Sequence, residues 1–391
     1  MKILMLLEHE FPGDVRVDRE VESLFNAGIN VDVAICSRKD KGQNIIEYKW
    51  GNVISRNINK FIFKFSALSL SFPFYFNFWR KHISNILTIN KYDYIHLHDL
   101  PLIKVAYELS KIHKIPLIVD LHENRPEIMK LYKHVNSFPG KYLISLNRWG
   151  EYQRKYVPLA DKVVLITPEA KEYYVNKLHV SEDNISVVPN FVESSLILAD
   201  YDKAILDKLK KKKSVVYFGD ISVRRGILEL MEVAILQRDN TEFHFVFIGS
   251  GSGVNIIKEI IKNNNLTNVE VLGYIQINKA LKIIEACSIG VCPFHRNIHH
   301  DTTYANKMFQ YMGLGLPLIV SDCPAQAKIV REENAGMVFK AGDSKDLNKK
   351  LVELCSNKDE FRRISENNKQ LLTNKYNWEI AARELIKIYK Q

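Results

Sequence analysis

Short apolar runs alternate with longer segments of helical periodicity along most of the chain. In residues 15–27 and 102–113, apolar residues recur at helical spacing; Gly28 follows the first segment, and Pro116 lies shortly after the second. The apolar runs of the first half carry few polar residues and comprise 3–7, 31–35, 94–97, 117–119, 163–166 and 185–188. Strands that are apolar on both faces and alternate with amphipathic helices predict parallel sheets covered by helices on both sides.

The same alternation starts again after the lysine-rich residues 208–213. Further apolar runs follow, the first three each directly before a glycine, at 215–218, 243–248, 269–272, 289–292 and 318–320. Two successive doubly wound α/β domains are therefore expected, with ligands bound outside the carboxyl ends of the strands. We place the passage between them at Pro189-Asn190 and predict domains at 1–190 and 191–375. A last helix, 376–391, is expected to pack back on the first domain.

Length and composition agree with a folded protein of two domains. The 391 residues exceed one ordinary hydrophobic core, and 46% apolar with 26% charged residues argue against a disordered chain. The five cysteines are scattered and form no CxxC pair, so we expect neither a disulfide framework nor a zinc site, and a cytoplasmic location fits best. Residues 2–7 are too short an apolar run for a secretory signal and are predicted to form a buried strand.

The net charge of +10 is concentrated in one part of the chain. Residues 51–150 contain 14 Lys or Arg and 6 Asp or Glu, and residues 61–82 within them are the most aromatic stretch. Basic residues beside aromatic ones fit a peripheral site on an anionic membrane surface, whereas a helix pair buried against the sheet explains the apolar residues equally well. Lys64 and Pro73 interrupt the stretch as a bilayer span. Nucleic-acid binding is not expected, because the sequence carries no stacking motif of the usual RNA-binding modules.

The strongest signal for chemistry lies in the second half. Gly219 follows a predicted strand, and Arg225-Gly226 comes just before a helical segment. A glycine turn and a guanidinium at a helix start are suited to hold a diphosphate, through the helix dipole and bidentate hydrogen bonds. Asn306 and Lys307 at the start of another helix can reach phosphate or sugar oxygens. Gln310, one turn later, can bond ribose hydroxyls.

In the order and spacing of its motifs, the chain resembles the family 4 glycosyltransferases, which have the GT-B fold. The motifs span nearly the whole chain and comprise EFPGDVRV at 10–17, HLHDLP at 96–101, VDLHE at 119–123, VVPN at 187–190, Gly219, RG at 225–226, IGSG at 248–251, VLGY at 271–274 and NKMFQYMGLGLPLIVSD at 306–322. Each motif alone is weak, but their combination is specific. The resemblance implies two Rossmann-like domains facing across a cleft, the first for the acceptor and the second for a nucleotide-sugar donor.

The resemblance also implies roles for individual residues. Arg225 matches the basic residue that grips the donor diphosphate, His122 matches the histidine that approaches the donor sugar, and Gly13 matches a loop residue whose backbone approaches the donor. The other implied donor contacts are Gly219, Gly249, Tyr274, Thr302, Asn306, Lys307 and Gln310. Enzymes of this family typically retain the anomeric configuration and need no bound metal. No cofactor is expected, since the nucleotide-sugar, a UDP- or GDP-sugar, is a substrate.

Three positions depart from the family pattern. The E-x7-E motif, whose second glutamate usually holds the ribose, has Thr302 and Gln310 at its two acidic positions. Asp220 stands where many relatives carry a second diphosphate-binding arginine. An amide accepts hydrogen bonds from ribose hydroxyls less strongly than a carboxylate does. We expect Lys307 to supply the positive charge missing at Asp220, so that His122, Arg225 and Lys307 form the predicted catalytic set.

The reaction itself defines what these residues have to do. Cleavage of the glycosidic bond places negative charge on the leaving nucleoside diphosphate, which nearby cations stabilise electrostatically. No protein carboxylate stands out as a nucleophile, so front-face attack by an acceptor hydroxyl is expected. The candidate acceptor contacts are Asp14, Arg16, His98 and Asp99, and of His96 and His98 only one is expected to face the cleft. The acceptor is expected to be a glycan or lipid-linked saccharide in cell-surface polysaccharide synthesis.

Other interpretations of the same residues stay open. The departures at Asp220, Thr302 and Gln310 also fit a catalytically inactive partner subunit that keeps the fold. A nucleotide-sugar epimerase has a similar two-domain build, but needs acid–base carboxylates that we cannot place. The cluster at residues 8–10, Glu-His-Glu, more simply lines a loop than binds a metal, and residues 299–301, His-His-Asp, fit a sugar-contact loop better than zinc. The glycines at 249–253 lack the spacing of a dinucleotide fingerprint, which argues against an NAD enzyme.

Overall fold

The computed structural model describes residues 1–38 and 43–390, apart from the side chains of Gln43, Lys60 and Lys64. The chain divides into two compact units: unit 1 consists of Met1–Pro189 and Ala382–Gln391, and unit 2 of Asn190–Ala381. Each unit contains one sheet and its own hydrophobic core. The predicted boundary at residue 190 lies one residue from this division.

The sheet of unit 1 is parallel except at one edge. Its strands are β1 (Lys2–Leu7), β2 (Asn30–Ser37), β3 (Gln43–Tyr48), β4 (Gly51–Asn57), β5 (Tyr94–His98), β6 (Leu117–Leu121), β7 (Lys162–Leu165) and β8 (Ile185–Val187). They lie in the order β3-β4-β2-β1-β5-β6-β7-β8, and β3 pairs antiparallel with β4. The six predicted strands are present, with β1 and β5–β7 almost wholly buried as expected for a sheet covered on both faces.

The helices of unit 1 lie between its strands, so most of them begin at the carboxyl edge of the sheet. They are α1 (Val15–Asn26), α2 (Lys60–Lys64), α3 (Phe74–Ile89), α4 (Ile103–His113), α5 (Arg125–Met129), α6 (Lys133–Asn136), α7 (Gly140–Leu143), α8 (Leu146–Tyr156) and α9 (Pro168–Leu178). Short 3-10 turns occur at Val157–Leu159 and Glu182–Asn184.

The aromatic stretch of unit 1 has a buried part and an exposed part. Tyr75 and Trp79 on α3 belong to the core, whereas Phe61, Phe72 and Phe74 are 65%, 41% and 58% exposed. The interpretation as a helix packed against the sheet therefore accounts for one face of α3 and leaves an aromatic surface uncovered. Among the described residues, no helix combines the length and the apolarity needed to cross a bilayer.

Unit 2 contains a six-stranded, fully parallel sheet. Its strands are β9 (Lys213–Phe218), β10 (Phe243–Ile248), β11 (Val269–Gly273), β12 (Ile289–Cys292), β13 (Leu318–Ser321) and β14 (Gly336–Phe339). They lie in the order β11-β10-β9-β12-β13-β14. The five predicted strands are present, and the edge strand β14 was missed.

Helices alternate with these strands and complete the second α/β unit. They are α10 (Lys203–Lys210), α11 (Ile227–Leu236), α12 (Val254–Asn263), α13 (Ile277–Glu285), α14 (Ile298–Asp301), α15 (Asn306–Gly313), α16 (Pro324–Glu332), α17 (Ser344–Ser356) and α18 (Lys358–Asn374). The last helix is α19 (Trp378–Lys390), and from Ala382 onward it belongs to unit 1, where Leu385 and Tyr389 are buried. The predicted class, two Rossmann-like α/β domains, is confirmed.

Candidate functional site

Three neighbouring strands of unit 2 lead into glycine turns at the carboxyl edge of the sheet. Gly219 after β9 and Gly249 after β10 have φ of 114° and 141°, which side chains rarely allow. A Cβ on Gly249 would lie 1.9 Å from the carbonyl oxygen of Gly219, so only glycine lets the turns approach this closely. The turns line an open pocket of about 400 Å³ that is bounded by Phe218, Gly219, Asp220, Gly249, Ser250, Gly251, Tyr274, Ile275 and Ile277. Three predicted donor contacts, Gly219, Gly249 and Tyr274, thus share one pocket.

Arg225 lies beside this pocket in a short 3-10 turn, Val223–Arg225, that precedes α11. Its Nε is 3.2 Å from Oδ2 of Asp220, and Arg224 lies at the same distance from that oxygen. The pKa of Asp220 is lowered: partial burial opposes ionisation, but the Ser222 hydroxyl and the two guanidinium groups outweigh it. Asp220 therefore has a structural role of its own, because it pairs with both neighbouring arginines and holds them in place.

Lys307 reaches the same edge from the first turn of α15. Its side chain is buried, and its Nζ lies 3.6 Å from the centre of the Tyr217 ring. A Cβ on Gly219 would be 3.5 Å from this nitrogen, which places Lys307 directly behind the first glycine turn. Within the described residues Nζ makes no hydrogen bond. Burial, reinforced by the charge of Arg225, lowers the pKa of Lys307 to about 7.

The other predicted donor contacts of unit 2 differ in accessibility. Asn306 is exposed and Gln310, one turn later on α15, is half-buried, so both can be reached by a ligand. Thr302 is buried, and its hydroxyl donates to the carbonyl of Ile298 at 2.7 Å. The hydroxyl proton of Thr302 is thus committed to the backbone of its own helical turn, and a donor contact of Thr302 stays a prediction.

An ion pair that the sequence analysis did not single out lies near these residues. Nε2 of His295 is 2.7 Å from Oε1 of Glu229, and this hydrogen bond raises the pKa of His295. The sequence offered one signal for a functional role of Glu229, namely its position in the first turn of α11, four residues after Arg225. His299 and His300 are buried, which lowers their pKa values to about 3 and about 4. These two imidazoles do not form the predicted sugar-contact loop, since burial removes them from solvent.

In unit 1, Arg16 is the centre of a buried ion-pair network. Its guanidinium donates two hydrogen bonds to the carboxylate of Asp120, at 2.8 and 3.1 Å, and its Nε is 2.8 Å from Oε1 of Glu20. Arg16 is 4% exposed, and both carboxylates are fully buried. The prediction that Arg16 binds the acceptor is wrong, because its donors are committed inside the unit.

A row of imidazoles continues this network toward the carboxyl edge of the sheet. The rings of His96 and His98 stack with centres 4.6 Å apart, and both are buried. The expectation that only one faces the cleft is wrong, because residues two apart on a strand share a face. Nδ1 of His98 is 3.2 Å from Nε2 of His122, and the hydroxyl of Tyr389 on α19 bonds Nδ1 of His96. Burial excludes His98 from direct acceptor contact and places it behind the half-buried His122.

Within the described part of the chain, one group of side chains could hold a metal ion. The group consists of Glu20, His96, His98 and Asp120. Each offers one ligand atom, and these four atoms lie within 4.8 Å of one another. Arg16 is paired with the ionised Asp120, whereas burial raises the pKa of Glu20, and a guanidinium already seated among these groups favours an ion-paired network over a metal centre. Burial lowers the pKa of His96 to about 4 and holds that of His98 well below its usual value, so both rings are neutral at pH 7. The charge of Arg16 overcomes burial and holds the pKa of Asp120 far below its usual range.

The remaining predicted residues of unit 1 lie in loops at the same edge. Asp14 caps α1, accepting from the amides of Arg16 and Val17 at 3.0 and 3.2 Å. The amide of the exposed Gly13 donates to Asp18 at 3.1 Å. Asp99 is half-buried directly after β5, with φ 64° and its amide bonded to the carbonyl of Asp120. Because β1, β5 and β6 are neighbours in the sheet, the structure brings Asp14, Asp99 and His122 to one edge.

Comparison with known proteins agrees with this geometry. Residues 14–196 match the family described as Glycosyltransferase Family 4, and residues 212–357 match Glycosyl transferases group 1. An uncharacterized glycosyltransferase of Methanocaldococcus jannaschii is 24% identical over 100% of this chain and 98% of its own length.

Two solved structures share the fold over the whole chain. Sucrose-phosphate synthase of Thermosynechococcus elongatus superposes with a TM-score of 0.77 at 17% identity, covering 100% of this chain and 98% of the other. The Anabaena protein HepE, crystallised with UDP-glucose, superposes with a TM-score of 0.68 at 13% identity, covering 100% and 99%. These structures show the GT-B fold, and the two family matches, which together cover most of residues 14–357, place the chain among the family 4-type glycosyltransferases.

Proposed function

We propose that this glycosyltransferase takes its sugar from a UDP- or GDP-sugar bound at the carboxyl edge of the unit 2 sheet. The observation that carries the proposal is that two cations adjoin the lining of the glycine-turn pocket: Arg225 pairs with Asp220, and Nζ of the buried Lys307 would lie 3.5 Å from a Cβ on Gly219. Two cationic side chains next to backbone that a ligand can approach closely suit a diphosphate. HepE, a protein of the same fold, was crystallised with UDP-glucose, which agrees with a donor of this class.

Each part of the donor has a matching surface in unit 2. The diphosphate would face Arg225 and Lys307, whose charges are held near the Phe294 ring at 5.2 and 5.6 Å from its centre. The nucleobase would enter the pocket between the glycine turns, with the exposed Tyr274 at its rim. Gln310 and Asn306 on α15 would bond the ribose or sugar hydroxyls. A carboxamide both donates and accepts, so Gln310 can replace a carboxylate at lower strength.

We further propose that transfer retains the anomeric configuration and needs no metal, as the family resemblance implies. The acceptor oxygen forms a bond to the anomeric carbon on the face from which the phosphate departs, and the carbon–oxygen bond to that phosphate breaks. The acceptor proton passes to the leaving phosphate oxygen. Arg225 and a protonated Lys307 would stabilise the charge on the leaving group, which is the electrostatic contribution that a metal ion makes elsewhere.

The acceptor would bind at the carboxyl edge of the unit 1 sheet. Asp99 offers a half-buried carboxylate there, Asp14 adds a second, and His122, which the resemblance assigns to the donor sugar, lies at the same edge. We propose a glycan or lipid-linked saccharide as acceptor, in the assembly of cell-surface polysaccharide. We also propose a cytoplasmic location with attachment to the inner membrane surface, which the exposed Phe72 and Phe74 beside basic residues support.

The first test is thermal-shift binding of UDP, GDP, CDP and their sugar conjugates to the full chain. We expect one nucleotide to raise the melting temperature with increasing dose, and Arg225→Ala to abolish the effect. Arg362→Ala is the matched control, because Arg362 is an exposed arginine of the same unit that lies on α18. Silence from every nucleotide, or an equal loss in both variants, would contradict the proposed donor site.

A second measurement tests the chemistry. The sugar conjugate of the binding nucleotide is incubated with membrane extracts, and transfer is followed with a radiolabelled sugar in the presence and absence of EDTA. Transfer that persists in EDTA supports the metal-free mechanism, whereas loss that added Mg²⁺ restores would overturn it. The anomeric configuration of the product, read by NMR, decides between retention and inversion.

A further inference from the structure

Unit 1 contains a pocket of its own, in addition to the glycine-turn pocket of unit 2 and apart from the ion-pair network around Arg16. It has a volume of about 330 Å³ and lies between the start of α3, the first turn of α4 and the helix α8. Phe76 stacks on Tyr152 at 6.0 Å in its wall. The Tyr152 hydroxyl donates to the carbonyl of Pro101 at 2.9 Å and accepts from the amide of Lys104 at 3.0 Å. These bonds anchor the pocket just after β5, at the carboxyl edge where His122 also lies.

The side chains that line this pocket carry a net positive charge. Lys104, Arg148 and Lys155 line it together with one carboxylate, Glu151. Arg148 fixes the loop before α3 by donating to the Ser71 hydroxyl at 2.8 Å and to the carbonyl of Leu70. Its guanidinium has further N–H groups beyond these two bonds.

The two lysines have little compensation from nearby carboxylates. The Nζ of Lys104 is 4.0 Å from Glu108, but that carboxylate bonds Arg80 at 2.6 Å. Lys155 is exposed, with its Nζ 5.4 Å from the centre of the Tyr156 ring, and forms no ion pair with a described carboxylate. A small pocket with a net positive charge, one unpaired ammonium group and a second ammonium group 4.0 Å from its carboxylate is suited to an anion.

An exposed aromatic cluster adjoins the pocket. Phe65 contacts Phe61, Phe72 and Phe74, with ring centres 4.9, 5.6 and 6.3 Å apart. Pro73, between two of these phenylalanines in the chain, lines the pocket itself. Exposed phenylalanines contribute apolar surface that water solvates poorly and that lipid chains cover favourably. Cationic groups and apolar rings therefore lie side by side on the same edge of unit 1.

We propose that this pocket binds the phosphate of a membrane amphiphile, whose hydrocarbon lies against Phe61, Phe72 and Phe74. The phosphate accepts hydrogen bonds from Lys104, Arg148 and Lys155. The carboxylate of Glu151 repels an anion, so the phosphate contacts these cations on the side away from Glu151. The inference rests on the proposed function in one respect, since a phosphate held at this edge places a lipid-borne acceptor beside Asp99 and His122. The binding test below does not require sugar transfer.

The test compares three double variants of the full chain in vesicle flotation. The pocket variant is Lys104→Gln with Lys155→Gln; neither side chain anchors the fold, because Tyr152 bonds the backbone of Lys104. The control is Lys91→Gln with Lys177→Gln, which removes the same charge from exposed lysines at the opposite, amino edge. The aromatic variant is Phe72→Ser with Phe74→Ser. The vesicles contain phosphatidylcholine with either phosphatidic acid or oleate, at matched surface charge.

Binding to phosphatidic acid vesicles is expected to exceed binding to oleate vesicles of equal charge. Each lysine near an anionic surface contributes about fivefold, so the pocket variant should bind about thirtyfold more weakly than the wild type. The control should stay close to the wild type at the same salt concentration. The aromatic variant should lose vesicle binding but keep affinity for soluble short-chain phosphatidic acid, which the pocket variant loses as well.

Three outcomes would overturn the proposal. Equal losses in the pocket and control variants would mean that overall charge alone drives binding. Equal affinity for phosphatidic acid and oleate vesicles would exclude a phosphate site. Inorganic phosphate that binds as tightly as the short-chain amphiphile, with no flotation, would assign the pocket to a soluble ligand. The nucleotide-induced melting shift, measured on the same variants, shows separately whether the donor site works.

Discussion

At the scale of single residues, the proposed donor site makes Lys307 the group that is expected to give nucleotide binding its pH dependence. Its Nζ is buried beside Tyr217, and burial lowers its pKa to about 7. An incoming diphosphate would supply the negative charge that raises this pKa again. Binding therefore takes up a proton wherever free Lys307 is neutral. We expect nucleotide affinity to be highest near pH 7 and to fall as pH rises, by up to about tenfold per unit.

Calorimetric titration of the nucleotide between about pH 7 and 9 checks this dependence, and buffers of different ionisation enthalpy report the proton uptake directly. Lys307→Met is the informative variant, because methionine fills similar space without a titrating group. It should bind more weakly at pH 7 but show a much flatter pH profile. Parallel profiles for the wild type and the variant would show that another group titrates.

Asp120 is expected to control the stability of unit 1 through Arg16. Asp120→Asn leaves the buried guanidinium of Arg16 without the carboxylate that accepts from its Nη2, and breaking a buried pair in this way costs about 3–5 kcal/mol. The pKa of Asp120 is lowered in the folded state, so its contribution is present above the ordinary Asp pKa and is lost as pH falls toward the lowered value. Denaturant unfolding of the two proteins at pH 7 measures the difference.

The matched control for this change is Glu22→Gln. Glu22 forms an ion pair with Lys49 at 2.8 Å, but the two side chains are 58% and 63% exposed. Exposed pairs contribute at most about 1 kcal/mol, so the control should remain near the wild type. If Asp120→Asn costs no more than Glu22→Gln, the buried network is not a source of stability.

At the scale of elements, the turn that joins β9 to α11 positions Arg225. Gly226 follows the arginine with φ 74°, and a Cβ there would lie 1.6 Å from the carbonyl oxygen of Pro293. Gly226→Ala must therefore displace the turn or the loop after β12. We expect a loss of about 3 kcal/mol or more in the stability of unit 2, together with weaker nucleotide binding.

Gly28 provides a control with the same backbone demand and no steric conflict. Its φ is 80°, and nothing lies within 4 Å of a Cβ built there. Gly28→Ala should cost only about 1 kcal/mol, from the positive φ alone. Similar losses in the two variants would mean that the contact with Pro293 relaxes easily and that the turn does not fix Arg225.

Interior strands were predicted more completely than edge strands, although the edge strands β8 and β11 were also predicted. Interior strands such as β1 and β10 are buried on both faces and read as continuous apolar runs. The missed strands lie at or next to an edge: β3 exposes Ile45 and Ile46, and most of β14 is only half-buried. Edge strands bury less apolar surface, so their sequences carry a weaker pattern.

The site residues also divide into those that the sequence could place and those that it could not. Gly219 and Gly249 could be placed from sequence because a glycine directly after a buried strand is typical of a tight turn at the sheet edge, and the structure brings them together. Arg16 and His98 could not, because spacing along the chain does not reveal which polar groups are paired in the interior. The ion pair of Glu229 and His295 joins residues 66 positions apart, a distance over which the sequence carries no periodic signal.

At the scale of the whole molecule, each unit has its own hydrophobic core, so the two are expected to unfold in separate steps. Scanning calorimetry should resolve two transitions. Asp120→Asn should lower the transition of unit 1, and Gly226→Ala that of unit 2, which assigns them. A single transition that moves as a whole in both variants would contradict independent unfolding.

These assigned transitions then report where the donor binds. UDP or GDP at about one hundred times its Kd should stabilise unit 2 by about 2.7 kcal/mol and leave unit 1 unchanged. The corresponding nucleotide-sugar should in addition raise the transition of unit 1, if His122 contacts the sugar as the family resemblance implies. His122→Ala should remove only this additional shift, and Arg225→Ala should remove both. A sugar conjugate that shifts unit 2 alone would mean that unit 1 contributes nothing to donor binding, and that His122 acts on the acceptor.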